Sequence, residues 1–304
     1  MPSPYVLATP VKDELGELPR LLAAVEGQRH RPACWVVLDD GSSDGSRDWL
    51  ERAAASRAWM EVIPSPEAAT EYLGGHVARI KRAAVEHALR AARGREIEPV
   101  YAGVLDADLA PPAEHYAALV GRMDAREAVG VASGLVVSPG EEGGAEVERF
   151  QRVDLPRGGL QLFRVRCLES IGGLPPYPGY DGVANVLAGM RGWERALYPD
   201  LVVRQSRPTA TRFGPFAGFR RKGHYAWFLD LHPTLVLARP AAYAVRRPRR
   251  EALGFLVGWA ESAGRRTPRC PDDEVRRYYR RERPREYLRM LWSRVRGGGG
   301  GSFA

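Results

Sequence analysis

Residues 34–38, CWVVL, form a short apolar run that ends abruptly at Asp39-Asp40-Gly41-Ser42-Ser43-Asp44-Gly45-Ser46. A run this short, closed by turn residues, reads as a strand buried on both faces, and such strands belong to sheets covered by helices. The surrounding sequence repeats the pattern. Residues 4–9, 61–65 and 99–105 predict further strands, the last ending at Asp106. Residues 15–29, 46–57, 75–93 and 112–126 predict helices, with Leu15, Leu18, Leu22 and Val25 at helical spacing and Ser46 placed to cap the second. Alternation of this kind implies βαβ units, an α/β fold and a mostly parallel sheet flanked by helices. Ligands in open sheets bind beyond the carboxyl ends of the strands. Polar clusters fall at those ends, at residues 9–14, 39–44 and 106–108, so topology alone marks one sheet edge as the site.

The middle of the chain is less regular. Strands are expected at 129–137, 158–166 and 201–205, an exposed loop at 141–148, a short helix from Leu168, a Gly/Pro-rich loop at 172–182 and a helix at 183–193. Helices are expected again at 251–263 and 272–294, and 297–304 reads as a flexible end. With 44% hydrophobic and 27% charged residues, a disordered, collagen-like or coiled-coil chain is excluded. The three cysteines form no C-x-x-C pair, which argues against a disulfide framework or a cysteine zinc site. Neither a signal peptide nor an apolar run of spanning length is present, so a cytoplasmic protein is expected.

Charge divides the chain. Residues 1–203 carry 22 Lys+Arg against 29 Asp+Glu, or −7, and residues 204–304 carry 23 against 8, or +15. Three basic clusters stand in the tail: Arg220, Arg221 and Lys222 before Tyr225, Trp227 and Phe228; then Arg246, Arg247, Arg249 and Arg250; then residues 276–285. Cations interleaved with aromatics suit an anionic membrane surface at the inner face of the cell membrane, and an Arg-rich solvated helix is the simpler alternative. Nucleic acid, the competing polyanion, is disfavoured because no nucleic-acid-binding motif accompanies the charge.

Two acidic motifs carry the chemistry. Gly41, Asp44 and Ser46 are explained by a tight strand-to-helix turn, but two adjacent carboxylates at a strand end are not, and one of them would face the cleft. Asp106-Ala107-Asp108 ends another strand. Two carboxylates so spaced can lean toward one cation, and oxygen ligands suit Mg²⁺ or Mn²⁺ held together with substrate phosphates.

Taken together, YVLATPVKDE, VVLDDGSSDGS, AGVLDADL, GGLQLFRVRCLESIGGLPP, YDGVANVLAGMRGW and YPDLVVRQSRP resemble a family 2 glycosyltransferase over residues 4–210. The resemblance implies a GT-A (Rossmann-like) domain at 1–210 and a basic, partly helical C-terminal extension at 211–296. It implies a nucleotide-sugar donor, UDP-linked first, and a glycan or lipid-linked acceptor. By the same resemblance Thr9 and Glu14 lie by the nucleoside, Asp40 binds the base, Asp106 faces the ribose or sugar, and Asp108 ligates the metal together with Asp106. Arg79, Lys81 and Arg82 precede the D-x-D strand, where the family places a basic residue near the phosphates, and Arg82 is taken for that role. Where the family carries a Glu-Asp pair at a helix start, this chain reads Tyr180-Asp181, which leaves Asp181 as the base of an inverting transfer. Where many relatives carry a His, this chain has Gln205. The metal site is then completed by Gln205, by His224 or His232 from the tail, or by carboxylates and water alone. Two other classes remain open: a GT-A-like binding or scaffold protein that has lost catalysis, and a nucleotidyltransferase.

Overall fold

The computed structural model describes residues 2–67, 74–139, 145–146, 155–207, 214–246 and 249–296. The chain divides into two compact units, Met1–Pro208 and Thr209–Ala304.

The first unit is built on β1 (Tyr5–Val11), β2 (Cys34–Asp39), β3 (Met60–Pro64), β4 (Tyr101–Val104), β5 (Leu109–Ala110), β6 (Val129–Pro139), β7 (Ala145–Glu146), β8 (Leu162–Arg164) and β9 (Glu194–Gln205). Eight of them run in the order β3-β2-β1-β4-β8-β6-β9-β5, with β7 paired to β6. The neighbours of β1, namely β2 and β4, are parallel to it, and so are β2–β3 and β6–β9. β8 enters antiparallel between β4 and β6, and β5 antiparallel on β9. The sheet is therefore parallel in its first half and mixed in its second. Helices α1 (Leu18–Glu26), α2 (Ser46–Ala54), α3 (Gly75–Gly94), α4 (His115–Asp124), α5 (Val165–Ser170) and α6 (Tyr180–Met190) connect the strands.

Strand alternation sorts the core. Tyr5, Leu7, Trp35 and Val37 join Leu18, Leu21 and Val25 of α1, Leu50 of α2 and Tyr116, Leu119 and Met123 of α4 in one cluster. The intervening Val6, Ala8, Val36 and Leu38 are equally buried and point to the opposite face. There α3 packs on β1, β2 and β4 through Ala78, Ala84, Ala88 and Ala92, whose lack of bulk lets the helix lie close. Gln28 locks the turn beyond the D-x-D. Its Nε2 donates to Ala24 O (2.9 Å), Pro111 O (3.1 Å) and Pro112 O (2.8 Å), and its Oε1 accepts from Tyr116 N (3.2 Å).

Several local expectations are corrected. Residues 158–166 are not one strand. They form a 3₁₀ turn (Gly158–Leu160), the three-residue β8 and the start of α5. Ser46 does not cap α2; Gly45, at φ 90°, precedes the helix, and the buried Ser46 hydroxyl accepts from Glu14 N (3.0 Å). The last strand begins at Glu194, well before residue 201. The loop expected at 141–148 lies outside the described residues except for β7.

The second unit is helical: α7 (Gly214–Phe228), α8 (Pro233–Arg246), α9 (Arg249–Gly264), α10 (Asp273–Arg277), a π turn (Tyr278–Glu282) and α11 (Arg283–Arg296). Two of these, α7 and α8, fall where mixed aromatic and basic residues conceal a helical period. α7 and α9 touch backbone to backbone, since a Cβ on Gly223 would lie 2.0 Å from Phe255 O and one on Gly258 would lie 1.9 Å from Arg220 O. Among the described residues no helix is long and apolar enough to cross a membrane. Of the second basic cluster, Arg247 lies outside the described residues, as does the end at 297–304.

One buried group gives the first unit a pH dependence. His115 is 2% exposed, neither ring nitrogen has a hydrogen-bond partner among the described residues, and burial lowers its pKa from 6.5 to about 4. Between those values the unfolded chain binds the proton and the folded chain does not. Stability thus rises with pH through this window, by roughly 1.4 kcal/mol per unit from this group. His115→Phe should flatten the slope of unfolding free energy between pH 4.5 and 6.5 measured by denaturant titration; an unchanged slope removes the assignment.

Candidate active site

The loops that follow β1 and β2 are sewn together. Asp13, at φ 53°, accepts from Ser43 N (2.7 Å) and donates its own N–H to Ser42 Oγ (2.9 Å). The Ser43 backbone bond, opposed by slight desolvation, holds the Asp13 carboxyl below its usual range. Leu15 N donates to Asp44 Oδ2 (2.9 Å), and Lys12 Nζ donates to Asp40 O (3.0 Å) and to Gly41 O. The two adjacent carboxylates then part company. Asp39 is buried and accepts from Ser42 N (3.2 Å), shaping the turn. Asp40 instead meets His76 Nε2 of α3 at 2.8 Å.

At the end of β4 the D-x-D is gripped from several elements. Lys81 of α3, with its side chain 5% exposed, donates to Asp106 Oδ1 and to the Tyr180 hydroxyl (2.9 Å), which in turn donates to Gly158 O. Burial works against the charged form of Lys81, but Asp106 and Tyr180 outweigh it and hold the ammonium charged. Burial raises the pKa of the Tyr180 hydroxyl against the opposing pull of Lys81, so it stays protonated and able to donate. Asp108 accepts from Gln205 Nε2 (2.8 Å) and lies 3.5 Å from Arg207 Nε, while Arg207 also pairs with Glu14. Burial raises the Asp108 pKa, and Gln205 offsets part of that rise. Register explains the meeting, because Leu109 of β5 sits opposite Gln205 of β9.

Gly158 and Gly159 fill the space between two carboxylates. A Cβ on Gly159 would lie 2.5 Å from Asp106 Oδ2, and one on Gly158 would lie 2.7 Å from Asp181 Oδ2. The backbone bond from Asp106 N to Gly159 O (2.9 Å) fixes the approach. Asp181 stands in the first turn of α6, behind Gly179 at φ 66°.

Of the expected site residues, Asp106 and Asp181 thus flank one glycine pair, and Asp108, Glu14 and Gln205 converge with Arg207. Asp40 stands at the end of the adjacent β2. Three expectations change. Thr9 is fully buried and its Oγ1 accepts from Trp35 Nε1 (3.0 Å), so its side chain bonds within the core. Arg82 binds Glu86 (2.8 Å) and Leu174 O (3.1 Å), and Arg79 binds Glu67 (2.7 Å); of the three α3 cations it is Lys81 that reaches the D-x-D, at Asp106. His224, in the second unit, packs against α9, with Nδ1 2.7 Å from Ser262 Oγ and Nε2 3.4 Å from Glu261. Sequence reasoning missed His76 and Arg207.

Asp106 and Asp108 are hard oxygen donors, and among the described residues no cluster of three His, Cys, Asp or Glu could hold a metal alone. That donor set fits a divalent ion whose remaining ligands are phosphate oxygens and water, which is how Mg²⁺ usually binds. It does not fit a closed protein-only metal centre.

Residues 7–228 match the sequence model described as Glycosyl transferase family 2. The chain belongs to glycosyl transferase family 2. This family 2 glycosyltransferase also resembles solved structures. The mannosyltransferase PcManGT from Pyrobaculum calidifontis, in complex with GDP-Man and Mn²⁺, is 18% identical with a TM-score of 0.55, over 87% of this chain and 76% of that one. S. aureus TarS 1–349 in complex with UDP-GlcNAc is 12% identical with a TM-score of 0.52, over 73% and 65%. GalNAc-T7 with UDP, GalNAc and Mn²⁺ is 12% identical with a TM-score of 0.57, over 88% and 57%. The chain spans less than two thirds of the length of the last two. At these identities the likeness establishes the GT-A fold of the family 2 domain. Among curated proteins, none matches this sequence.

Proposed function

We propose that this family 2 glycosyltransferase moves a sugar, with inversion, from a nucleoside-diphosphate donor to a hydroxyl of a glycan or lipid-linked acceptor. The observation that carries the reading is the glycine pair, with a donor-side carboxylate against Gly159 and a second carboxylate against Gly158. Asp181 takes the proton of the acceptor hydroxyl as its oxygen bonds to the anomeric carbon. The bond from that carbon to the diphosphate breaks on the opposite face. A sugar hydroxyl is a weak nucleophile, so proton removal in the transition state is where a positioned carboxylate acts. Asp106, fixed by Lys81, orients the donor sugar. Asp108 and Asp106 would hold Mn²⁺ or Mg²⁺, which supplies charge neutralisation to the departing diphosphate. Arg207 offers a further cation beside Asp108. In the second unit, exposed Leu237, Leu253 and Leu256 and the exposed Arg249 and Arg250 suit an anionic membrane surface carrying a lipid-linked acceptor.

Thermal stability with nucleoside diphosphates, each with and without Mn²⁺, tests this directly, because a ligand that binds only the folded state raises Tm with its concentration over Kd. One nucleoside diphosphate should raise Tm, Mn²⁺ should enlarge the shift, and Asp108→Ala should abolish the enlargement. Absence of any shift in the wild-type protein would favour the binding or scaffold reading, as would loss of nothing in the variant.

A further inference from the structure

We propose that Asn185 is a positioning residue for Asp181, pinning through the carbonyl of Pro156 the glycine turn against which that carboxylate lies. The inference rests on the reading of Asp181 as the base and adds what keeps it in place. Residues four apart share one face of a helix, so Asn185 stands one turn beyond Asp181 on the same side of α6. Its Nδ2 donates to Pro156 O (3.0 Å). That oxygen can only accept, which fixes the nitrogen end of the amide on its side. At the start of the helix the Tyr180 hydroxyl donates to Gly158 O. Between the two carbonyls, Arg157 N donates to Ser133 Oγ of β6 (3.0 Å). Residues 156–158 therefore run back along the first two turns of α6, held at each residue by a side chain.

Packing alone does not account for this amide. Asn185 is 2% exposed, and its Oδ1 is buried with no partner among the described residues. Gln161, just past the far end of the turn, is equally buried and left the same way. Its Nε2 lies 3.4 Å from Pro156 O, and its Oε1 has no partner among the described residues. A buried acceptor left unbonded destabilises a fold, and an apolar side chain of the same shape avoids that loss. Two such amides nevertheless converge on one carbonyl, two residues before Gly158. A Cβ on Gly158 would lie 2.7 Å from Asp181 Oδ2, so turn and carboxylate meet without slack. Release of Pro156 O frees the turn from the second turn of α6, and the Asp181 carboxylate loses the wall that sets its place. A general base must stand within hydrogen-bond reach of the proton it takes, so turnover is what suffers. Asp106 keeps its bond to Lys81, so donor binding is spared.

A double-mutant cycle tests this on the full chain. The assay is release of nucleoside diphosphate from a panel of UDP-, GDP- and dTDP-sugars in Mn²⁺, with water as acceptor, beside calorimetry of the nucleoside diphosphates and thermal unfolding. Asn185→Leu should lower kcat by about ten- to a hundredfold, the loss a small misplacement brings. Kd for the nucleotide should stay within about twofold of wild type, and Tm should not fall, because the orphaned amide oxygen goes with the side chain. In an Asp181→Asn background the same substitution should change kcat by less than about twofold, since a residue that acts through Asp181 has nothing left to position. Unchanged kcat in a folded Asn185→Leu, or losses that multiply across the cycle, overturns the inference and leaves the base standing. Unchanged kcat in Asp181→Asn alone overturns the base and this inference with it, and failure of the wild-type chain to release nucleotide from any donor overturns the functional reading as a whole. Should Asn185→Leu not fold, Asn185→Ala, which adds no bulk, carries the same cycle.

Discussion

Asp181→Asn should lower kcat by roughly 10²–10⁴-fold, the range a positioned general base supplies, while Kd for the donor nucleotide and Tm stay near wild type. The amide keeps the size and hydrogen-bonding reach of the carboxylate but cannot take up a proton at neutral pH. Asp181 lies in the first turn of α6 and faces Gly158 across a gap too narrow for a Cβ. Only the proton-accepting step is therefore removed. Transfer assayed by mass spectrometry of the product, beside calorimetry of donor binding, separates the two quantities. Unchanged turnover would take the base role away from Asp181 and leave the donor site intact. An equal loss of donor affinity would place Asp181 on the donor side.

Lys81→Met should cost both stability and activity. Lys81 is the buried cation that joins Asp106 to Tyr180, and Tyr180 in turn holds Gly158 O. Methionine fills the same volume and carries no charge. Breaking a fully buried ion pair costs about 3–5 kcal/mol. Asp106 is 37% exposed at its side chain and water screens it, so about 1–3 kcal/mol is expected here. Denaturant unfolding reads that cost. Activity should fall by about tenfold or more, since Asp106 and the glycine pair lose their common anchor. Lys81→Arg should restore stability better than activity, because a fork of donors cannot reproduce a point charge in this space. Full activity in Lys81→Met would reduce the lysine to a packing residue.

Much of the sheet edge is legible in the sequence. The apolar runs that end in acidic clusters located the sheet edge, because a strand buried on both faces has nowhere else to place polar residues. Periodicity alone settles which way two of these side chains point. Thr9 shares the face of Tyr5 and Leu7, so strand alternation sends it into the core. Lys81 falls on the stripe of Ala78, Ala84, Val85 and Ala88, whereas Arg82 falls beside it, so helical phase singles out the lysine. Other features left no mark. Asp39 and Asp40 are the same residue type, and only the turn decides which one caps it. Arg207 reaches Glu14 across most of the domain's length of chain, a separation that no local pattern encodes. Strand direction is equally silent, and β8 reads the same in either sense.

That antiparallel strand has a further consequence. Running against its neighbours, β8 brings its beginning, and the glycine pair before it, to the edge where β4 ends. The glycine pair, which precedes β8, thus meets the end of β4 both through the main-chain bond from Asp106 N to Gly159 O and through the side-chain contact of Lys81 with Tyr180. Main-chain bonds do not depend on side-chain identity. The Lys81 contact does depend on it, so a chimera that exchanges residues 157–190 should keep its fold only where position 180 still offers Lys81 a hydroxyl.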